Sequence, residues 1–201
     1  MKILHLDSSV TGANSITRPL TQATVARLVQ KNPDAQVLYR DLADEPLNHY
    51  TAVLRIHGAK PDTASPAQLL ELELGEQILA EFLAVDTIVI GAPMYNGSIP
   101  SQLKAWIDRI LVKGETFTYG ENGPEGLAGG KRVIVAVARG NLYGPGDAGE
   151  SYEHLETYLR AVFGFIGIVP EIVAADGIGF GPDHRAASIE KALGTVSALA
   201  A

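Results

Sequence analysis

The sequence predicts a three-layer α/β domain, a parallel sheet of five strands wound on both faces by helices, and three observations carry that prediction. Five short, nearly continuous apolar runs recur along the 201 residues, helical patterns fill the gaps between them, and the helix starts carry capping signals. Apolar runs without alternation are how strands buried on both faces look, and such strands occur in parallel sheets covered by helices.

The first run is ILHL (3–6). A polar loop, DSSVTGANSITRPL (7–20), leads to a helix with Leu20, Val25, Leu28 and Val29 on one face. Proline has no N–H and is best tolerated in a first turn, so Pro19 sets the helix start near Ser15 to Thr17. QVLYR (36–40) is the second strand, followed by a long connection, 46–64. Ser65, Pro66 and Gln68 form a capping box with proline at the first helical position. Leu70, Leu74, Ile78 and Phe82 then stand at i+4 steps on the expected apolar face.

TIVI (87–90) is the third strand, and GAPMYNGSIP (91–100) is a loop at its carboxyl end. Pro100 sits where a helix tolerates it, and Leu103, Trp106, Ile107, Ile110 and Leu111 make the stripe that follows. Residues 114–129 predict a hairpin outside the sheet, and VIVAV (133–137) and IVPEIVAA (168–175) complete the five strands. Alternating strands and helices imply right-handed crossovers in one doubly wound unit over residues 1–201, with ligands beyond the carboxyl ends of the strands. Five strands suit the flavodoxin-like order better than a six-stranded dinucleotide fold.

Composition narrows the chemistry. The chain has no cysteine, which removes thiol nucleophiles, redox dithiols and thiolate metal sites, so any redox reaction needs a bound cofactor. Its net charge of −7 argues against a nucleic-acid partner, which would require a basic face. MKILHLDSSV is too short and too early charged for a signal-peptide core, and no stretch approaches the roughly 18 apolar residues of a membrane span. These readings place the protein in the cytoplasm, where the Asn96-Gly97-Ser98 glycosylation pattern has no meaning.

Three strand ends carry the candidate site. After the first strand, Ser9, Ser15 and Thr17 surround a helix amino terminus, which suits a phosphate and equally suits an ordinary Ser/Thr cap. The loop has a single Gly12 and no G-x-G-x-x-G, and Gly130-Lys131 is followed by Arg132 with Glu125 at the Walker glycine position, so neither nucleotide motif is present. After the third strand, Met94, Tyr95 and Asn96 suit a flat ligand with polar edges. After the fourth, Arg139 and the glycines at 140, 144, 146 and 149 bring charge and bare backbone to a ligand, or form a surface loop. The five histidines show no metal spacing and no nucleophile elbow and read as structural or surface residues, with His49 and His57 possible lining of a substrate mouth.

APMYN (92–96), FTYGENGPEGL (117–127), RG (139–140) and GFIGI (164–168) together resemble the flavodoxin-like FMN-dependent NADH azoreductases, also called NADH:quinone oxidoreductases, over nearly the whole chain. The resemblance implies bound FMN, NADH or NADPH as donor, and two-electron, ping-pong reduction of quinones and aromatic azo compounds. It implies that Ser9, Ser15, Ile16 and Thr17 hold the FMN phosphate, Ile16 through its backbone. Pro93, Met94, Tyr95, Asn96 and Gly97 would follow the ring and ribityl chain, and Arg139, Gly140, Asn141 and Tyr143 the pyrimidine end. It further implies a homodimer with a shared active site, in which Tyr119 reaches the partner's flavin. Arg139, Asn96 and Tyr119 are the expected catalytic residues, Arg139 stabilising reduced flavin. Gly97, Ala138, Asn141 and Tyr143 depart from the residues common in that family and bear on acceptor preference. A flavodoxin-type electron carrier is the alternative; it has no need of the insertion at 46–64 or the hairpin.

Overall fold

The computed structural model describes residues 1–55, 64–121 and 123–200. Strands β1 (Lys2–Asp7), β2 (Gln36–Asp41), β3 (Thr87–Pro93), β6 (Arg132–Arg139) and β7 (Glu171–Asp176) form one sheet in the order β2-β1-β3-β6-β7, every neighbouring pair parallel. Helices α1 (Thr17–Lys31) and α5 (Pro182–Ala198) cover one face. Helices α2 (Pro66–Ala84), α3 (Ser101–Ile110) and α4 (Glu156–Phe165) cover the other.

The two-residue period of the strands sorts the core. Leu4, Leu6, Ile88, Ile90, Val133 and Val135 face α2, α3 and α4, where Trp106 lies edge-on to Phe82 at 6.1 Å between ring centroids. Ile3, Val89, Ile134 and Ala136 face α1 and α5, meeting Leu20, Leu28, Ala192 and Val196.

The local signals hold where they are local. α2 starts at Pro66 with Ser65 and Gln68 in a reciprocal capping box, and α1 starts at Thr17 with Pro19 in its first turn. Three expectations are corrected, two in the sheet and one on a helix. β2 is an edge strand, so Val37, Leu38 and Tyr39 are exposed instead of buried on both faces. The fifth strand begins at Glu171, because Pro170 offers no N–H to a ladder, and Val169 before it is 84% exposed. Leu70 is 66% exposed; the buried residues of α2 are Leu72, Ile78, Leu79 and Phe82. The opening turns of α2 overlie the 47–55 segment: Asn48 Nδ2 donates to Glu71 Oε1 at 2.6 Å, and the buried Arg109 of α3 donates to Glu71 Oε2 at 2.9 Å.

The hairpin forms as β4 (Phe117–Gly120) antiparallel to β5 (Gly123–Gly126). It is clamped to the end of α4. Gly167 takes φ +89° there, the Ile168 N–H bonds the Phe163 carbonyl at 2.9 Å, and the Gly167 N–H bonds that of Gly164 at 3.0 Å, a Schellman ending. A Cβ on Gly126 would lie 2.1 Å from the Gly167 nitrogen, so the hairpin's second strand rests backbone to backbone on this turn. Close approach therefore explains the second glycine of ENGPEGL and the last glycine of GFIGI.

Candidate functional site

The strand order reverses between β1 and β3, and in open α/β sheets a crevice forms where it does so. A cavity of about 440 Å³ opens there, beyond the carboxyl ends of β1, β3 and β6. Its polar side is Ser9, Thr11 and Asn14; Pro93, Met94, Ala138 and Ile178 give it apolar walls. Tyr95 ties two of the loops together: its hydroxyl accepts from the Val10 N–H at 3.2 Å and lies 3.4 Å from Ser9 Oγ.

Of the residues expected from the sequence, Ser9, Ile16, Pro93, Met94, Tyr95 and Gly140 line this cavity. Ser15 and Thr17 are buried, their hydroxyls 3.3 Å apart, and Ser15 Oγ accepts the Arg18 N–H at 3.2 Å. Ser15 thus serves the helix start in the manner of a cap.

Asn96 and Gly97 shape the loop. Both have positive φ, +50° and +81°, and Tyr95 and Ser98 exchange both backbone hydrogen bonds across them at 3.0 and 3.1 Å. That is a two-residue hairpin turn of the kind an Asn-Gly pair favours, a signal present in the sequence and overlooked in reading the loop only as a ligand grip. The Gly97 carbonyl accepts the His154 N–H at 3.0 Å, pinning the turn to the segment before α4.

Arg139 points elsewhere. Ala138 and Gly140 line the cavity, so the intervening side chain projects to the other side of β6. Its Nε and Nη2 donate to Asp176 Oδ1 and Oδ2 at 2.5 and 3.0 Å, directly across the ladder on β7. Its Nη1 lies 3.3 Å from Glu156 Oε2 and 3.5 Å from Glu153 Oε1. The side chain is 7% exposed. Burial disfavours its charge, but Asp176, Glu156 and Glu153 outweigh that and hold its pKa above the ordinary value. Three carboxylates compensate it, so the expected positive charge facing a ligand is not where the sequence reading put it. With Tyr143, Arg160 and Glu150 it borders a neighbouring cavity of about 510 Å³. Asn141 lines neither cavity; its carbonyl accepts the Gly177 N–H at 3.1 Å, while Gly140 and Arg139 accept from Gly179 and Ile178, zipping this loop to the one after β7.

A second ion cluster backs the first loop. Arg18 pairs with Asp41, lies 3.8 Å from the buried Asp7, and donates through Nη2 to the Ser9 carbonyl at 3.1 Å. Thr21 and Tyr39 donate to the two oxygens of Asp7 at 3.0 and 3.2 Å. Burial and the surrounding carboxylates push the Tyr39 phenol up to about 12. His5 packs on Tyr39 at 4.9 Å, and burial lowers its pKa, which keeps it neutral and structural.

Tyr119 stands on the hairpin, 61% exposed, with the Lys113 ammonium 5.7 Å from its ring centre. His49 is described but borders neither cavity; His57 lies outside the described residues. Among the described residues no cluster could hold a metal ion, and no helix is long and apolar enough to cross a membrane. Thr11, Asn14, Ile178 and Arg185 line the cavity and escaped the sequence reading. Asn14 sits in the loop already singled out, whereas Ile178 and Arg185 follow a strand whose end carried no signal.

The residues fit FMN. A flat ring suits the apolar walls, a phosphate suits the hydroxyl-bearing loop, and the volume lies within the range of about 300–1,000 Å³ usual for such sites.

Comparison with known proteins agrees. A family profile described as a flavodoxin-like fold matches residues 1–199. The chain is 55% identical over 204 residues to FMN-dependent NADH:quinone oxidoreductase 2 of Bradyrhizobium diazoefficiens, and 53% identical over 203 residues to the FMN-dependent NADH:quinone oxidoreductase of Methylorubrum populi. Both alignments cover 100% of each chain. The crystal structure of an azoreductase from Bacillus anthracis superposes with a TM-score of 0.86 at 25% identity, covering 99% of this chain and 100% of that one.

Proposed function

This chain belongs to the flavodoxin-like FMN-dependent NADH:quinone oxidoreductases, and on that premise we propose that it reduces quinones and aromatic azo compounds by two electrons at the cavity between the β1, β3 and β6 loops. The observation that carries the reading is convergence: Ser9, Tyr95 and Gly140, from three separate strand ends, border one cavity at the reversal of strand order. Bound FMN would supply the redox chemistry, hydride transfer from NADH or NADPH and two-electron reduction of the acceptor.

The protein's part is holding and shielding. Ser9, with the Ser15-Ile16-Thr17 backbone behind it, takes the phosphate; Pro93, Met94 and Tyr95 follow the ring, with the Asn96-Gly97 turn fixing their course. Backbone N–H groups of the Gly140-Asn141 loop address the pyrimidine edge, preorganised to favour negative charge there. Arg139 is a positioning residue that fixes this loop from behind, and Tyr143 borders the adjoining cavity. The lining of the cavity offers no carboxyl and no histidine as a proton donor, so solvent supplies the protons. Donor and acceptor use the same open face in turn, which gives ping-pong kinetics.

The carrier alternative gives way, because relatives matched end to end are named as enzymes. We further propose a cytoplasmic homodimer in which Tyr119 and Leu127, both exposed on or beside the hairpin, meet the partner. Sedimentation should give twice the chain mass of 21.3 kDa; a monomer removes the shared-site proposal.

An anaerobic absorbance spectrum of the protein with FMN tests the main reading. NADH should bleach the flavin band and a benzoquinone should restore it. A flavin that binds but stays oxidised with both NADH and NADPH returns the carrier reading.

A further inference from the structure

We propose that Arg185 is the cation that meets the FMN phosphate, an assignment resting on the reading above that this cavity takes FMN. Arg185 lies in the first turn of α5 and lines the cavity together with Asn14 and Ile16, the residues that lead into α1. It therefore reaches in from the side where α1 and α5 pack together, beside the hydroxyl-bearing loop.

The charges nearby single it out. Arg18 is engaged with Asp41 and the Ser9 carbonyl, and Arg139 is engaged with three carboxylates on the far side of β6. Arg185 makes no ion pair and no side-chain hydrogen bond among the described residues, and the polar groups sharing its cavity, Ser9, Thr11, Asn14 and Tyr95, are neutral. Helix energetics do not explain it. A cation in a first turn opposes the helix dipole, a place that favours acids such as the neighbouring Asp183. The chain as a whole carries −7 and repels a phosphate dianion, so one uncompensated guanidinium at the cavity wall sets the local sign.

Riboflavin, which is FMN without its phosphate, separates this role from ring binding. Both flavins are titrated into apoprotein by fluorescence quenching, for the unmodified chain, Arg185→Gln and Arg185→Lys, at low and high salt. The FMN dissociation constant should rise about five- to tenfold in R185Q, the size expected of one partly exposed charge-assisted contact. The riboflavin constant should stay unchanged, R185K should fall between, and the FMN difference should shrink as salt rises. An unchanged FMN constant in R185Q overturns the assignment, as does equal weakening of both flavins. A raised KM for NADH with FMN affinity intact overturns it too, moving Arg185 to the donor. Failure of the unmodified chain to bind either flavin fails the FMN reading itself, before any variant is compared.

Discussion

Two ion-paired arginines flank the cavity, Arg18 half-buried and Arg139 buried, and they are built differently. Arg18, on the β1/β2 side, joins Asp7 and Asp41 and also donates to a carbonyl of the loop that borders the cavity. Arg139, on the β6/β7 side, pairs among the described residues with three carboxylates, Asp176, Glu153 and Glu156. The first cluster thus shapes the binding loop directly, while the second holds strand, strand and helix together behind it. In both, the cation is compensated by protein, leaving the cavity's inner surface to neutral donors and to Arg185.

The largest effect should come from Arg139→Ala, which leaves Asp176 and Glu153 without their cation and Glu156 with Arg160 alone. Urea denaturation should show a loss of about 3 kcal/mol, the scale of breaking a buried ion pair. A loss under 1 kcal/mol would equate this cluster with a surface pair. Gly126→Ala comes next: its Cβ has no room against the Gly167 backbone, and overpacking of this kind costs about 1–3 kcal/mol. Local proteolysis at the hairpin should accelerate, and an unchanged rate would mean the contact yields freely.

Arg18→Ala should separate the two clusters most sharply. It should cost only about 1–2 kcal/mol in stability while weakening FMN binding about tenfold, through loss of the anchored Ser9 carbonyl. Equal FMN affinity would place the whole cluster in the structural role assigned to Arg139.

Acid should erode both sides modestly. Burial pushes the Asp41 carboxyl up, but hydrogen bonds from Arg18 and from the Ala43 and Asp44 backbone prevail and hold it below its usual 3.8. Glu153 is likewise held below 4.5, as the Glu156 and Thr157 amides, the Thr157 hydroxyl and Arg139 outweigh burial. A carboxyl depressed in the folded state contributes stability that is complete above its unfolded pKa and lost as pH falls through the lower folded value. Melting temperature should therefore hold down to about pH 4.5 and decline below it, and Asp41→Asn and Glu153→Gln should each flatten part of that decline. A decline beginning near neutral pH would implicate other groups.

Much of this was legible because its causes are local. The capping box at Ser65, the start of α1 near Ser15 to Thr17 and the hairpin after residue 114 rest on neighbours in sequence, and each formed as read. The Asn96-Gly97 turn was equally local and lay in plain sight. Leu70 was misplaced because periodicity gives the faces of a helix but not what lies beneath its first turns. The direction of Arg139 followed from strand alternation, yet only the neighbouring strand showed which direction met carboxylates.

The sequence by itself determined the five strands of the sheet, three of its helices, a cofactor-dependent chemistry and three loops able to hold a flat phosphorylated ligand, because periodicity, capping and the lack of cysteine act within short stretches. Only the tertiary structure decided that β2 is an edge, that Arg139 faces Asp176, and that Arg185 joins a cavity begun at Ser9. Those depend on which strands become neighbours, a choice made by burial across the whole sheet and not by any segment alone.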